Sequence, residues 1–351
     1  MLGPDARSAI DSGLANGEWY RPEIPRKTMK ALMKREDGPA IRDTAIYYGA
    51  MMLLAGIGIA LWPSWWSAPF WLAYGVLYGS GGDSRWHECG HGTAFKTPWM
   101  NAVVYNIASF MMMRNAVTWQ WGHARHHTET TIVGRDPQIA LMAPPAARRL
   151  AFNFIGIPDA YAAFSRMLLN ASGRLDPQEA SFVPETEHRK VIRLARIWLS
   201  IYAATAFASL AFNSILPLMV IGLPRIYGAW HHVMTGYLQH GGLRDNVLDH
   251  RLNTRTVLMN PISRFIYWNM NYHIEHHLFP MVPYHRLPEL HELIKNDLPA
   301  PNPSIWHAYR EMLPVLKRQL RGEEVFIERK LPANAHPFQE YPEAVPINMP
   351  A

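Results

Sequence analysis

Nine histidines, His87, His91, His123, His126, His127, His240, His273, His276 and His277, carry most of the chemistry this chain can do. Eight of them form three motifs: His87-x-x-x-His91, His123-x-x-His126-His127 and His273-x-x-His276-His277. Residues three and four apart share one face of an α-helix, so each motif presents its imidazoles as a convergent group. Neutral imidazole suits iron, copper, nickel or zinc. One structural ion is saturated by about four protein ligands, so at least two metals are implied. Isolated histidines such as His188, His307 and His336 read instead as surface or capping residues.

The elements that must position these clusters are apolar helices. From Thr44 to Ser80, and again from Ile197 to Pro224, there is no Asp, Glu, Lys or Arg. Each stretch accommodates two spans of about 17–20 residues if a short turn divides it. Pro63-Ser64 supplies one turn, and Asn213-Ser214 followed by Pro217 the other. The expected fold is all-α: a membrane bundle of about four spans in two hairpins, with a cytosolic helical cap holding a di-metal site. Its expected divisions are a cytosolic N-terminal segment (1–43), a membrane domain (44–325) and an irregular tail (326–351), whose Pro- and Ala-rich part begins at Leu331.

Charge gives the topology. The turns near positions 63 and 213 lack Lys and Arg, whereas Arg21, Arg26, Lys27, Lys30, Lys34, Arg35 and Arg42 precede the first span. The positive-inside rule then places both termini and the central segment in the cytoplasm. An even number of crossings separates the histidine motifs, so all nine residues reach one face. Residues 1–30 contain no apolar signal-peptide core, so the first span is expected to act as the insertion signal. Cys89, the single cysteine, excludes an intrachain disulfide and a Cys-ligated iron–sulfur cluster. The formal charge of +6 flanks apolar stretches and accompanies no nucleic-acid motif, so anionic lipid is the expected partner.

Between the first two motifs, Met100 to Met113 is apolar but too short to span, which predicts a re-entrant or in-plane helix. Residues 24–35 form either an interfacial helix or an ordinary packed one. Gly79, Gly81, Gly82, Gly90 and Gly92 around the first pair suit close helix approach.

Other readings compete for the same residues. His87-Glu88-Cys89-Gly90-His91 fits the His-Glu-x-x-His zinc protease pattern, but that leaves seven clustered histidines without a role. Glu88-x-x-His91 and Glu185-x-x-His188 match the motif of soluble di-iron bundles, which does not explain the apolar stretches. A non-enzymatic metal sensor or carrier is the remaining class.

His87-Glu-Cys-Gly-His91, His123-Ala-Arg-His126-His127 and Asn271-Tyr-His273-Ile-Glu-His276-His277-Leu-Phe-Pro resemble the three histidine boxes of the membrane fatty acid desaturase superfamily. The resemblance extends over roughly residues 20–325. It implies an α-helical membrane protein whose cytosolic cap holds two non-haem irons, uses O₂ and two electrons, and oxidises unactivated C–H bonds. It also implies that His240, in Leu238-Gln-His240-Gly-Gly242, is the extra ligand between the second and third boxes. By the same analogy His87, His91, His123 and His273 belong to one iron, and His126, His127, His240, His276 and His277 to the other. Finer similarities, in Asp83-Ser-Arg-Trp-His-Glu-Cys-Gly-His-Gly-Thr93, Ile132-Val-Gly-Arg-Asp-Pro137 and Leu248-Asp-His-Arg-Leu-Asn253, point to alkane-hydroxylase-like bacterial members linked with rhizopine catabolism. These imply oxidative loss of an O-methyl group, a Rieske-type ferredoxin with an NAD(P)H-dependent reductase, and a bacterial-type inner membrane. Fatty acyl desaturation or hydroxylation is the rival outcome.

Metal-bound imidazoles usually donate their other N–H to a carboxylate, carbonyl or water. Asp83, Glu88, Glu129, Asp136, Asn271 and Glu275 are the candidates near the boxes. His231 and His232 are read as lining a substrate entrance or as structural residues. Met111 to Met113, Trp119 and Trp121 are read as pocket walls or plain packing. Neither the first 43 residues nor the tail offers a cytochrome b5-type segment, so electrons are expected from another protein, an acidic ferredoxin steered to a basic face among the possibilities.

Overall fold

The computed structural model describes residues 4–139 and 145–337. Among them the chain is helical, and β pairing is limited to isolated bridges between Thr256 and Tyr272 and between Val257 and Asn302. The outward limbs of the two expected hairpins are Asp37–Ala60, 24 residues, and Glu185–Ala211, 27 residues. These two helices are long and apolar enough to cross a membrane. Trp65 and Trp66 stand exposed at the tip of the first hairpin, where amphipathic rings meet headgroups in membrane proteins.

The return limbs differ from each other. The first continues without a break through Ala68–Val76, a π-helical segment Leu77–Gly81 and Gly82–Gly90, because nothing in it interrupts the backbone ladder beyond tolerated glycines. The second is divided into Leu216–Val220, Pro224–Tyr227 and Ala229–His240. Pro217 and Pro224 each begin a piece, as a residue without an N–H can, and Gly222 takes φ +98° between the first two pieces. Gly75 and Gly228 let the two return limbs touch: a Cβ on Gly228 would fall 2.0 Å from the Gly75 carbonyl oxygen.

Met100 to Met113 lies almost entirely in the amphipathic helix Pro98–Met111, which buries Val104, Tyr105 and Ala108. Arg26–Leu32 is a packed helix, since Leu32 is buried and Met29 packs against the main core. That core gathers Trp86, Phe95, Tyr105, Trp268, Tyr284 and Leu287 around the segments that carry the first and third histidine motifs. Helices Ala147–Asn153 and Ile157–Ala171 reverse at Gly156, φ +68°. Residues 331–337 have no helix or strand, as the expected irregular tail requires, and the rest of that tail lies outside the described residues.

Candidate metal centre

Four helices deliver the nine histidines. His87 lies on Gly82–Gly90 and His91 caps its end. His123, His126 and His127 lie on Ala116–Thr128, which Asn115 caps by accepting from Val117 N at 3.1 Å. His240 ends Ala229–His240, and His273, His276 and His277 lie on the short helix His273–Leu278. The Asn115 amide also donates to the Val191 carbonyl at 3.0 Å, which ties the second motif to the long helix Glu185–Ala211.

The rings converge as two groups. His87, His91, His123, His127 and His276 form one and His126, His240, His273 and His277 the other, with the donor atoms of each group within 4.8 Å of one another. This division corrects the one expected from resemblance: His127 and His276 join the group of His87, and His273 joins the group of His126. The reason is the helix crossing, since His276 Nε2 comes 3.2 Å from His127 Nε2, while His277 Nε2 comes 3.2 Å from His273 Nε2. His91 and His127 approach His123 Nε2 at 3.0 and 3.1 Å.

These separations fit a metal better than a hydrogen-bond network. Ligand nitrogens about 2.0–2.1 Å from one ion stand about 3.0–3.4 Å apart along the edges of a coordination polyhedron. Burial, and after it the nearby His126, pushes His91 down to about 4 and His240 to about 3, leaving neutral imidazoles with a lone pair to give. Burial likewise holds His123, His276 and His277 well below the ordinary histidine range. Nε2 of His87 and of His240 are buried without a hydrogen-bond partner among the described residues.

Outer hydrogen bonds set which nitrogen faces inward. His240 Nδ1 donates to the Asn253 carbonyl at 2.9 Å, leaving Nε2 free. Thr130 gives its one hydroxyl proton to the His126 carbonyl at 2.5 Å and so accepts from His277 Nδ1 at 3.2 Å. His126 Nδ1 lies 2.7 Å from Asp136, whose carboxylate is itself held by the backbone N–H groups of Thr131 and Gln138 at 2.9 and 2.8 Å. In the five-histidine group only His123 has such a bond among the described residues, to Gln138 Oε1 at 3.2 Å.

Of the six expected outer partners, Asp136 alone bonds a clustered histidine. The Glu88 carboxylate accepts from Thr93 and from Tyr284 N at 2.8 and 3.0 Å, and burial raises it to about 7. It is therefore turned to structural partners, which removes the general base that the protease reading needs. Glu129 pairs with Arg125 and Arg135, and Asn271 bonds the Val257 carbonyl. Glu275 bonds Thr256 and His291, and Asp83 pairs with His232. His231 bonds Ser80 at 2.7 Å and is structural. Trp119 stacks on His123 at 4.1 Å, Trp121 is exposed, and Met111 and Met112 are core.

Sequence reasoning missed His250. Its buried ring lies 4.9 Å from His277 and is covered by Trp19 stacked at 4.3 Å. Only its place in Asp249-His-Arg-Leu-Asn253 hinted at a role. It also missed Thr130, Gln138 and the Asn253 carbonyl.

A chamber of about 470 Å³ opens onto both groups, lined by His87 and His123 of one and His126, His240 and His273 of the other. Trp86, Trp119, Met113, Trp198 and His232 contribute to its wall.

A family model described as fatty acid desaturase matches residues 60–309. The chain is similar to a chloroplastic omega-3 fatty acid desaturase of Sesamum indicum, 25% identical over 78% of this chain and 64% of the relative. It is also similar to the sn-2 acyl-lipid omega-3 desaturase (ferredoxin), chloroplastic, of Helianthus annuus, 25% identical over 78% of this chain and 65% of the relative. The acyl-lipid omega-3 desaturase (cytochrome b5), endoplasmic reticulum, of Arabidopsis thaliana is 23% identical over 79% of this chain and 75% of its own length. The chain thus spans slightly under two thirds of the first two relatives.

Proposed function

Because this chain belongs to the fatty acid desaturase family, we propose that it is a membrane di-iron oxidoreductase that spends O₂ and two external electrons on oxidising an unactivated C–H bond. The observation that carries this reading is the convergence of nine buried histidines into two groups beside one chamber. His87, His91, His123, His127 and His276 would hold one iron, and His126, His240, His273 and His277 the other. When bound, the irons supply O₂ activation and a path for one-electron transfer.

The residues of the chain do the rest. Asp136, Thr130, Gln138 and the Asn253 carbonyl hold four imidazoles with Nε2 inward, so the centre is arranged before substrate arrives. The buried chamber holds the reacting carbon near both groups and limits water. In desaturation two C–H bonds break and a C=C bond forms; O₂ takes two electrons from substrate and two from the donor, and with four protons leaves as two waters. The names of the relatives favour this outcome on an acyl lipid. A second reading, hydroxylation or oxidative demethylation of a small organic substrate, is favoured by the polar part of the chamber wall, which includes Asp159, Asn170 and Glu179.

Two relatives carry ferredoxin or cytochrome b5 in their names, which supports an external donor here; a Rieske-type ferredoxin with an NAD(P)H-dependent reductase is the pair we propose. The charge distribution supports a cell membrane location with the histidines and both termini on the cytoplasmic side. The test is product formation by purified protein. NAD(P)H alone should give none, and added ferredoxin with its reductase should give product, with coupling weakened by salt. Sustained turnover by the isolated chain with NAD(P)H would sink the proposal.

A further inference from the structure

The chamber beside the histidines is not the lining that a bare acyl chain requires. Helices Ala147–Asn153, Ile157–Ala171 and Pro177–Ala180 give it Asn153, Asp159, Asn170 and Glu179. Asn153 and Asn170 are 5% and 1% exposed, and the side-chain oxygen of each has no partner among the described residues. The Asn170 amide nitrogen is already committed, to the Arg174 carbonyl at 3.2 Å and to Glu179 at 3.1 Å, so its oxygen is left as an acceptor. Glu179, 3% exposed, adds a carboxylate whose nearest cation, Arg166, stands 3.7 Å away. The surplus is therefore in acceptors, and a buried acceptor without a donor is costly. Hydrocarbon has no donor to offer.

A separate groove of about 710 Å³, lined by Ile59, Ile201, Ala208, Phe212, Leu216 and Ile221, is almost wholly apolar. It shares no lining residue with the histidine chamber, so no continuous apolar tunnel joins the two among the described residues.

We infer that the chamber recognises a compact moiety carrying several O–H or N–H donors, with Asn153 and Asn170 as specificity-determining residues and the oxidised C–H held toward the histidine end. Its volume suits such a moiety, since small-molecule sites run to about 300–1,000 Å³. The moiety comes either from a free hydroxylated or amino compound or from the hydroxylated headgroup of a lipid. This inference rests on the reading of the histidine groups as the oxidising centre.

Isothermal titration calorimetry tests it, using the protein as purified, in phosphatidylcholine nanodiscs and without reductant. The probes are methyl glucoside, monogalactosyl diacylglycerol and oleate. At least one hydroxylated probe should bind tenfold or more tighter than oleate, the glucoside indicating a free compound and the galactolipid a headgroup. Asn153→Leu should erase that difference and Asn153→Asp should keep it. If Asn153→Leu does not fold, Ala163→Trp, which fills the chamber from Ile157–Ala171, should erase it instead. Oleate binding as tightly as both hydroxylated probes, neither of those binding, or an undiminished difference in the folded variant overturns the inference. Because binding is read without turnover, intact selectivity in a protein that never oxidises a substrate would overturn the proposed function and leave the recognition site standing.

Discussion

The two histidine groups are built differently. In the four-histidine group three rings, His126, His240 and His277, are held from behind by Asp136, the Asn253 carbonyl and Thr130. In the five-histidine group only His123 is so held among the described residues, by Gln138, and Nδ1 of His127 and of His276 have no partner. One group thus relies on orientation and the other on number. A fixed imidazole loses little freedom when it binds a metal, whereas a group with more ligands tolerates losing one.

Single-ligand removal should show that difference most strongly. His126→Ala and His276→Ala should both abolish turnover while leaving membrane insertion intact, because the apolar helices lie elsewhere. Iron content should part them: near one per chain for His126→Ala, where three ligands remain, and nearer two for His276→Ala, where four remain. Equal iron loss, measured on protein purified from membranes, would mean that the groups do not differ in this way.

Breaking the orienting bonds comes next in size. Asp136→Leu should weaken iron binding about 10–100-fold by freeing His126. Gln138→Leu should act on the other iron alone. Chelator titration of the unaltered protein should then proceed in two steps, the five-histidine site emptying first, and Asp136→Leu should merge the steps or reverse their order. A single cooperative loss of both irons from the unaltered protein would contradict separate sites. At the small end, His307→Ala should change activity little and stability by no more than about 0.5 kcal/mol, since His307 is exposed at a helix start beside Ser304.

What the sequence disclosed follows the range of the interactions. The histidine motifs were legible because spacings of three and four are local to one helix. Asp136 was legible as a carboxylate ten residues after His126. Asn253 was not, because it acts through a backbone carbonyl that every residue has. The sharing of ligands depends on which turn of His273–Leu278 meets which turn of Ala116–Thr128, a tertiary register with no sequence mark. Hydropathy treated both uncharged stretches alike, and the division of one return limb follows from Pro217, Gly222 and Pro224 acting within it.

The π-helical segment Leu77–Gly81 has a consequence for the angular phase of the first motif. A π turn holds one more residue than the α turn it replaces, and one residue is about 100° of rotation around an α-helix axis. The five residues therefore act as a phase shifter: Trp71 and Tyr74 before them face the hairpin core, while His87 and His91 after them face the other histidines. Deleting Gly79 would straighten the limb into plain α-helix and swing both histidines out of phase with their partners. Adding one residue between Gly82 and Trp86 would restore the phase, so the paired change should recover iron that the single deletion loses.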